Sequence, residues 1–233
     1  MMQITKNPDR KEWKELLLRP YVDNSAVLAS VQTILNEVKH NGDNAVRHFT
    51  QKFDGVLLND FVVTQKEIAD AGSKLSSPLK AAIQQAKQNI ETFHQAQLSN
   101  VEIIETMPGI QCWRKTVGID KVGLYIPGGT APLFSTVLML AIPARLAGCK
   151  EVILCTPCNK GGEVHPAVLY AAQVTGITTI YKIGGAQAIA AMAYGTETIP
   201  AVYKIFGPGN QYVTAAKQLV QMQGVAIDMP AGP

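Results

Sequence analysis

The chain is 233 residues long, 47% hydrophobic and 17% charged, enough apolar material for one large domain or two modest ones and too much for a disordered segment. Its net charge of +3 comes from lysines and arginines scattered from Lys6 to Lys217, without the concentrated basic face that a phosphate backbone requires, so a nucleic-acid partner is disfavoured. No apolar run follows a basic cluster at the start, and the longest apolar stretch, 136–144, is interrupted by Pro143 and too short for a bilayer; with four sparse cysteines, a cytoplasmic protein with reduced thiols and no membrane partner is expected.

Asn7-Pro8-Asp9 is a capping cluster for a short helix over 11–18, which Arg19-Pro20 stops. Trp13 and Leu17, four apart, are its expected anchors, and residues 1–20 read as an N-terminal helical arm. Val27, Val31, Ile34, Leu35 and Val38 recur at helical spacing up to Asn41-Gly42, and a second helix is predicted from Asp43 through Ala45, Val46, Phe49 and Phe53 to Asp54-Gly55. Phe61, Val62 and Val63 suit a short strand. Thr64-Gln-Lys-Glu67 has capping-box spacing for a helix that carries Ile68 and ends near Leu75. Pro78 sits where a first helical turn tolerates it, and launches a long helix to about Leu98 with Leu79, Ile83, Ala86, Ile90 and Phe93 inward. Segments 101–106 and 110–117, separated by Met107-Pro-Gly109, read as a hairpin with Trp113 on its second strand; one face of it needs a cover.

From Lys121 the rhythm changes to strand, loop, helix. Strands are predicted near 121–126, 151–155, 178–182, 203–206 and 225–228, with helices near 133–147, 166–175, 185–194 and 210–222, punctuated by Gly148, Gly176, Gly195 and Gly224 as left-handed C-caps. The right-handed crossover rule makes this an α/β chain with a doubly wound parallel sheet. Residues 21–121 supply helices and a hairpin but only one other strand, too little sheet for their apolar faces. The last strand runs into a glycine and proline turn, Met229-Pro-Ala-Gly-Pro233, that leads nowhere. A piece of a longer protein is therefore expected, with an arm (1–20), an incomplete first α/β domain (21–121) and a second domain (122–233).

Three of the strands end in glycine-rich loops: Val122-Gly-Leu-Tyr-Ile-Pro-Gly-Gly129, Ile180-Tyr-Lys-Ile-Gly-Gly-Ala-Gln187 and Val202-Tyr-Lys-Ile-Phe-Gly-Pro-Gly-Asn210. If the strands are parallel neighbours, the loops gather along the carboxyl edge, where open α/β sheets bind ligands. Each loop also has a plainer reading. The two glycines after Tyr125 suit an anion at a helix start or a plain turn, and they lack the G-x-G-x-x-G dinucleotide spacing. Asn210 can cap the next helix or offer its amide to a ligand. The small-residue run from Ala186 to Ala193 beside Gln187 suits close packing of a helix on the sheet. Cys155-Thr-Pro-Cys158 has the spacing of a zinc half-site but no second pair follows, so it reads as a strand end and a loop start. His40, His48, His94 and His165 fall in four separate elements and suggest no ligand set or catalytic pair. The sequence displays binding loops without chemistry.

Taken in order, Gly-Leu-Tyr125-Ile-Pro-Gly-Gly, Ala131-Pro-Leu-Phe-Ser135-Thr-Val-Leu-Met, Gly184-Gly-Ala-Gln187-Ala-Ile-Ala-Ala, Phe206-Gly-Pro-Gly-Asn210-Gln-Tyr-Val-Thr and Asp228-Met-Pro-Ala-Gly-Pro233 closely resemble histidinol dehydrogenase across essentially the whole chain, as its N-terminal half or so. The resemblance implies a homodimeric, zinc-dependent enzyme of histidine biosynthesis that oxidises L-histidinol through the aldehyde to L-histidine with two NAD. It implies two Rossmann-like domains of aldehyde dehydrogenase-like architecture, one nearly complete over 122–233 and one begun in 21–121. It places NAD-contacting roles on Tyr125, Gln187 and Asn210, the first by stacking or hydrogen bonding, and a substrate-facing role on Ser135. The family's zinc ligands and its Glu-His acid/base pair would lie beyond residue 233, so no catalytic or metal residue is expected here and no turnover by these residues alone. The alternative is a catalytically silent nucleotide-binding or dimerisation module.

Overall fold

The structure is a computed structural model, and it describes residues 5–18, 24–98, 100–129 and 132–229. Arg19-Pro20, the Thr130 end of the first glycine loop and the closing Pro-Ala-Gly-Pro turn lie outside the described residues. In chain order the elements are α1 (Trp13–Leu16), α2 (Ser25–Asp54), α3 (Gln65–Ala71), α4 (Ser77–Gln95), β1 (Ile103–Met107), β2 (Ile110–Trp113), β3 (Lys121–Tyr125), α5 (Phe134–Leu146), β4 (Glu151–Cys155), α6 (Pro166–Thr175), β5 (Thr179–Tyr181), α7 (Gly185–Tyr194), β6 (Lys204–Phe206), α8 (Gln211–Gln221) and β7 (Ala226–Ile227).

The predicted alternation after Lys121 is present strand for strand. Five strands form one sheet in the order β5-β4-β3-β6-β7, and every adjacent pair is parallel. From β3 the chain steps outward twice, then returns to β3's other side for β6 and β7. Counted from β3 this is the 3-2-1-4-5 order of a Rossmann-like doubly wound sheet, with its switch point between β3 and β6. The register sets Tyr125 level with Cys155, Cys155 with Tyr181, and Leu124 with Phe206. The carboxyl ends of these four strands therefore share one rim.

Two cores flank the sheet. On one face α5 and α6 bury Leu138, Ile142 and Leu169 with Ile83 of α4 and Ile68 of α3; on the other α7 and α8 bury Ile189, Met192 and Val220 with Val31, Leu35 and Val38 of α2. A fully buried Leu or Ile contributes about 1.5–3 kcal/mol, so the helices before residue 100 are held mainly by the sheet-bearing part of the chain. Gly123 makes the second core thin: a Cβ there would stand 2.6 Å from the Met192 sulfur.

The first half departs from its sequence reading at several points. The expected break at Asn41-Gly42 is a kink within one long α2: only Gly42 leaves helical geometry, at φ 50° and ψ −131°. The Asp43 N–H, which opens the second helical segment, donates to Glu197 Oε2 at 2.7 Å, and a Cβ on Gly42 would lie 2.3 Å from that oxygen. The remote carboxylate thus caps a helix start with no loop between the segments. Trp13 and Leu17 do not anchor α1; both are exposed, and the Trp13 indole N–H donates to the Pro8 carbonyl at 3.2 Å. The segment Phe61 to Val63 makes a single antiparallel bridge, Val62 to Tyr181, at the β5 edge of the sheet. The capping box is present, with Glu67 N–H donating to Thr64 Oγ1 and Thr64 N–H to Glu67 Oε2, a motif worth ~1 kcal/mol. In α4, which ends at Gln95, Ile83 is buried but Phe93 is exposed: α4 packs on α5 as far as Glu91, which pairs with Arg145 in the last turn of α5, and Phe93 lies past that point. The predicted hairpin forms from β1 and β2, and both of its faces are exposed along its whole length.

Candidate functional site

A cavity of about 950 Å³ opens at the rim, lined by residues from the loops after β3, β4, β5 and β6 together with α2. The loops meet closely because glycines let them. A Cβ on Gly128 would stand 2.5 Å from the Pro157 ring, and one on Gly184 would stand 2.7 Å from it, so Pro157 of the β4 loop is wedged between the β3 and β5 loops. Of the residues singled out from the sequence, Tyr125, Gln187 and Asn210 all line this cavity. Ser135, exposed in the first turn of α5, is not among the lining residues.

Tyr125 closes β3 and is 4% exposed, its ring walled into the core under α7. Its hydroxyl accepts the Gly185 N–H at 3.0 Å and keeps its own O–H to donate. Burial, helped by the negative charge of Asp54 and opposed by the Gly185 bond, pushes the phenol up to about 12. It stays a neutral donor.

Gln187 lies in the first turn of α7 at 1% exposure, and neither its Oε1 nor its Nε2 has a hydrogen-bond partner. Room for the carboxamide comes from Gly185, where a Cβ would meet Oε1 at 2.6 Å. Leaving such groups unpaired costs on the order of 1–3 kcal/mol each. A native structure tolerates this where something else supplies the partners. The rest of the alanine run in α7 is buried between the sheet and α2, which bears out the plain packing reading for those residues.

Asn210 is the N-cap of α8, and its Oδ1 accepts from the N–H groups of Tyr212 and Val213, both at 3.1 Å. The acceptor is therefore committed to the helix, while the amide Nδ2 remains a donor toward the cavity. The turn before it is clamped. Gly207 donates its N–H to Asp228 Oδ2 at 2.8 Å, its carbonyl accepts from Lys217 Nζ at 2.8 Å, and Lys217 pairs with Asp228. At φ +129° a Cβ on Gly207 would fall 2.0 Å from the Tyr125 carbonyl oxygen, so only glycine lets β6 leave the sheet against β3 at the switch point.

Sequence reasoning passed over two residues that line the cavity. His165 caps α6, its Nδ1 accepting from Ala167 N–H at 3.1 Å; the following Pro166 at the helix start was the available signal. Asp54 ends α2 with Oδ2 buried and unpartnered, and burial holds its carboxyl above the usual carboxylate range; nothing local marks it. Cys155 is buried at the end of β4 and Cys158 is half-buried in the loop beyond, as read from the sequence. Among the described residues no three of His, Cys, Asp and Glu gather as a metal site would need.

A five-stranded doubly wound sheet with a crevice at its switch point defines a Rossmann-like α/β protein. The family model for histidinol dehydrogenase matches residues 17–233, and the chain belongs to that oxidoreductase family. It is 59% identical over 233 residues to histidinol dehydrogenase of Bacteroides thetaiotaomicron, covering 100% of this chain and 54% of that protein. The Yersinia pestis protein is 53% identical over 226 residues, covering 96% and 50%. The crystal structure of histidinol dehydrogenase from Elizabethkingia anophelis superposes with a TM-score of 0.93 at 54% identity, covering 97% of this chain and 52% of that one. The chain thus spans about half the length of the relatives it matches.

Proposed function

We propose that this chain is the nucleotide-binding part of an enzyme that oxidises L-histidinol through L-histidinal to L-histidine, and that its cavity holds NAD. The observation that carries the reading is the buried Gln187 carboxamide, which faces the cavity rim with a donor and an acceptor both unpaired. The Tyr125 hydroxyl and the Asn210 amide add two donors among the residues that line the same cavity. When bound, NAD supplies the hydride acceptor. The chain's own task is to orient it: Gln187 fixes a polar edge by paired hydrogen bonds, Tyr125 donates as a neutral phenol, and Asn210 donates from a helix start whose dipole favours a negative group.

In this reading 1–20 is an arm, 122–233 the NAD-binding domain and 21–121 the beginning of a second α/β domain, and the whole enzyme is a cytoplasmic homodimer. Ser135 faces substrate there. Zinc is read as a ligand of the whole enzyme; the residues described here do not offer it a site, and no step is assigned to it. The exposed β1–β2 hairpin favours, as a second reading, a silent nucleotide-binding module that associates through that surface.

Calorimetric titration with NAD tests the proposal. Saturable binding at one site is expected, weakened at least tenfold by Asn210→Asp, which keeps the helix cap but removes the amide donor and adds a like charge near phosphate. Absence of binding, or equal binding by Asn210→Asp and Gln187→Met, overturns it.

A further inference from the structure

We propose that Asp54, reaching the cavity from the end of α2, is the carboxylate that receives the 2′- and 3′-hydroxyls of the adenosine ribose and so selects NAD over its 2′-phosphorylated form. The inference rests on the NAD reading above.

In doubly wound nucleotide-binding sheets, an acid near the end of the strand next to the switch-point strand takes the ribose hydroxyls. Here that strand is β4. The residues just past it are Thr156, Pro157 and Cys158, none of them acidic; Glu163, farther along the loop, is exposed. The position is vacant within the sheet's own loop. Asp54 lines the same cavity as Tyr125 at the end of β3 and Pro157 and Cys158 just past β4.

The state of the Asp54 carboxylate supports a ligand. It lines the cavity, yet Oδ2 is shut off from solvent with no donor. No described side chain donates to that oxygen, and a turn of the half-buried Asp54 side chain at the cavity wall is what would present it to a ligand. A vicinal diol presents two O–H donors at the spacing of the two carboxylate oxygens, giving charge-assisted hydrogen bonds. A 2′-phosphate at the same place puts a second anion against a partly desolvated carboxylate and removes one donor.

The α2 kink gives the arrangement a mechanical basis. Gly42 and the Glu197 cap set the direction of the segment that ends at Asp54, and Val46 and Phe49 on that segment are buried in the core that also contains Tyr125. The carboxylate is thus delivered on a rigid rod from another part of the chain.

The test is calorimetric titration of the wild type, Asp54→Asn, Asp54→Ala and Glu163→Gln with NAD, NADP and the 2′-deoxyadenosine form of NAD, with thermal melting to establish that each variant is folded. The wild type is expected to bind NAD at least tenfold more tightly than NADP. Asp54→Asn is expected to weaken NAD about tenfold without weakening NADP, so the preference collapses. The 2′-deoxy form is expected to lose about tenfold on the wild type and little further on Asp54→Asn. An unchanged NAD-to-NADP ratio in both folded Asp54 variants, or a ratio moved by Glu163→Gln instead, overturns the inference while NAD binding weakened by Gln187→Met leaves the NAD reading standing. Loss of NAD binding by the wild type itself overturns both.

Discussion

Replacing Gln187 by methionine tests the central observation without any ligand. Methionine keeps the length and straight shape of the side chain and removes the two polar atoms that are buried without partners. Each such atom costs on the order of 1–3 kcal/mol when unpaired; because the two share one amide and one desolvated surface, a net gain of roughly 1–3 kcal/mol is expected for the free protein. In a chain of this size that is a rise in Tm of roughly 2–12 °C. The same change is expected to weaken NAD at least tenfold, so stability and binding move in opposite directions. Urea or thermal unfolding of wild type and Gln187→Met, with and without NAD, measures both. If Gln187→Met destabilises the free protein by more than ~1 kcal/mol, the carboxamide is satisfied without ligand and the reasoning from it collapses.

Three further outcomes follow from the geometry. Gly207→Ala places a methyl carbon 2.0 Å from the Tyr125 carbonyl oxygen at a φ of +129°; a loss of about 2–5 kcal/mol in urea unfolding is expected from strain and overpacking together, and a loss under 1 kcal/mol would refute the close approach of β6 and β3. Tyr125 keeps its proton to about 12 when folded against the usual 10.0, so the unfolded chain ionises first and stability falls as pH rises through that interval, by roughly 2–3 kcal/mol; Tm measured from pH 9 upward should drop more steeply for wild type than for Tyr125→Phe. Burial pushes the Glu67 carboxyl up, but the bonds from Lys182 and from Thr64 outweigh it and hold it below its usual 4.5. Its contribution is present above that value and is lost as pH falls through the lower folded value, so Glu67→Gln should flatten the acid limb of the melting profile, and an unaltered limb would show that the Lys182 pair contributes nothing.

The part of the fold built from nearest neighbours was legible in the sequence. Alternating strands, small helices and terminal glycines from Lys121 onward gave the five parallel strands, and parallel order alone gathers their loops on one rim, so the joint position of Tyr125, Gln187 and Asn210 followed from topology. The capping box of Thr64 and Glu67 is equally local. What escaped is what depends on a distant partner. The kink at Gly42 looks like a helix end until Glu197 is brought against it, and Asp54 is an ordinary helix-terminal acid until α2, packed on α7 and α8, carries it to the cavity that the β4 loop also lines. Phe93 and Trp13 show the converse: helical spacing names the face that a residue shares, but not whether another element covers that turn. The uncovered hairpin is the same case in β structure.

The clamp on Gly207 orders events during synthesis. Tyr125 and Gln187 emerge from the ribosome well before Asp228, yet the turn that presents Asn210 is held through Asp228 and its pairing with Lys217. Translation proceeds from the N-terminus and domains fold as units, so the nascent rim stays loose on its β6 side until β7 is paired. Released chains ending just before and just after Asp228 should differ in protease resistance at 207–210.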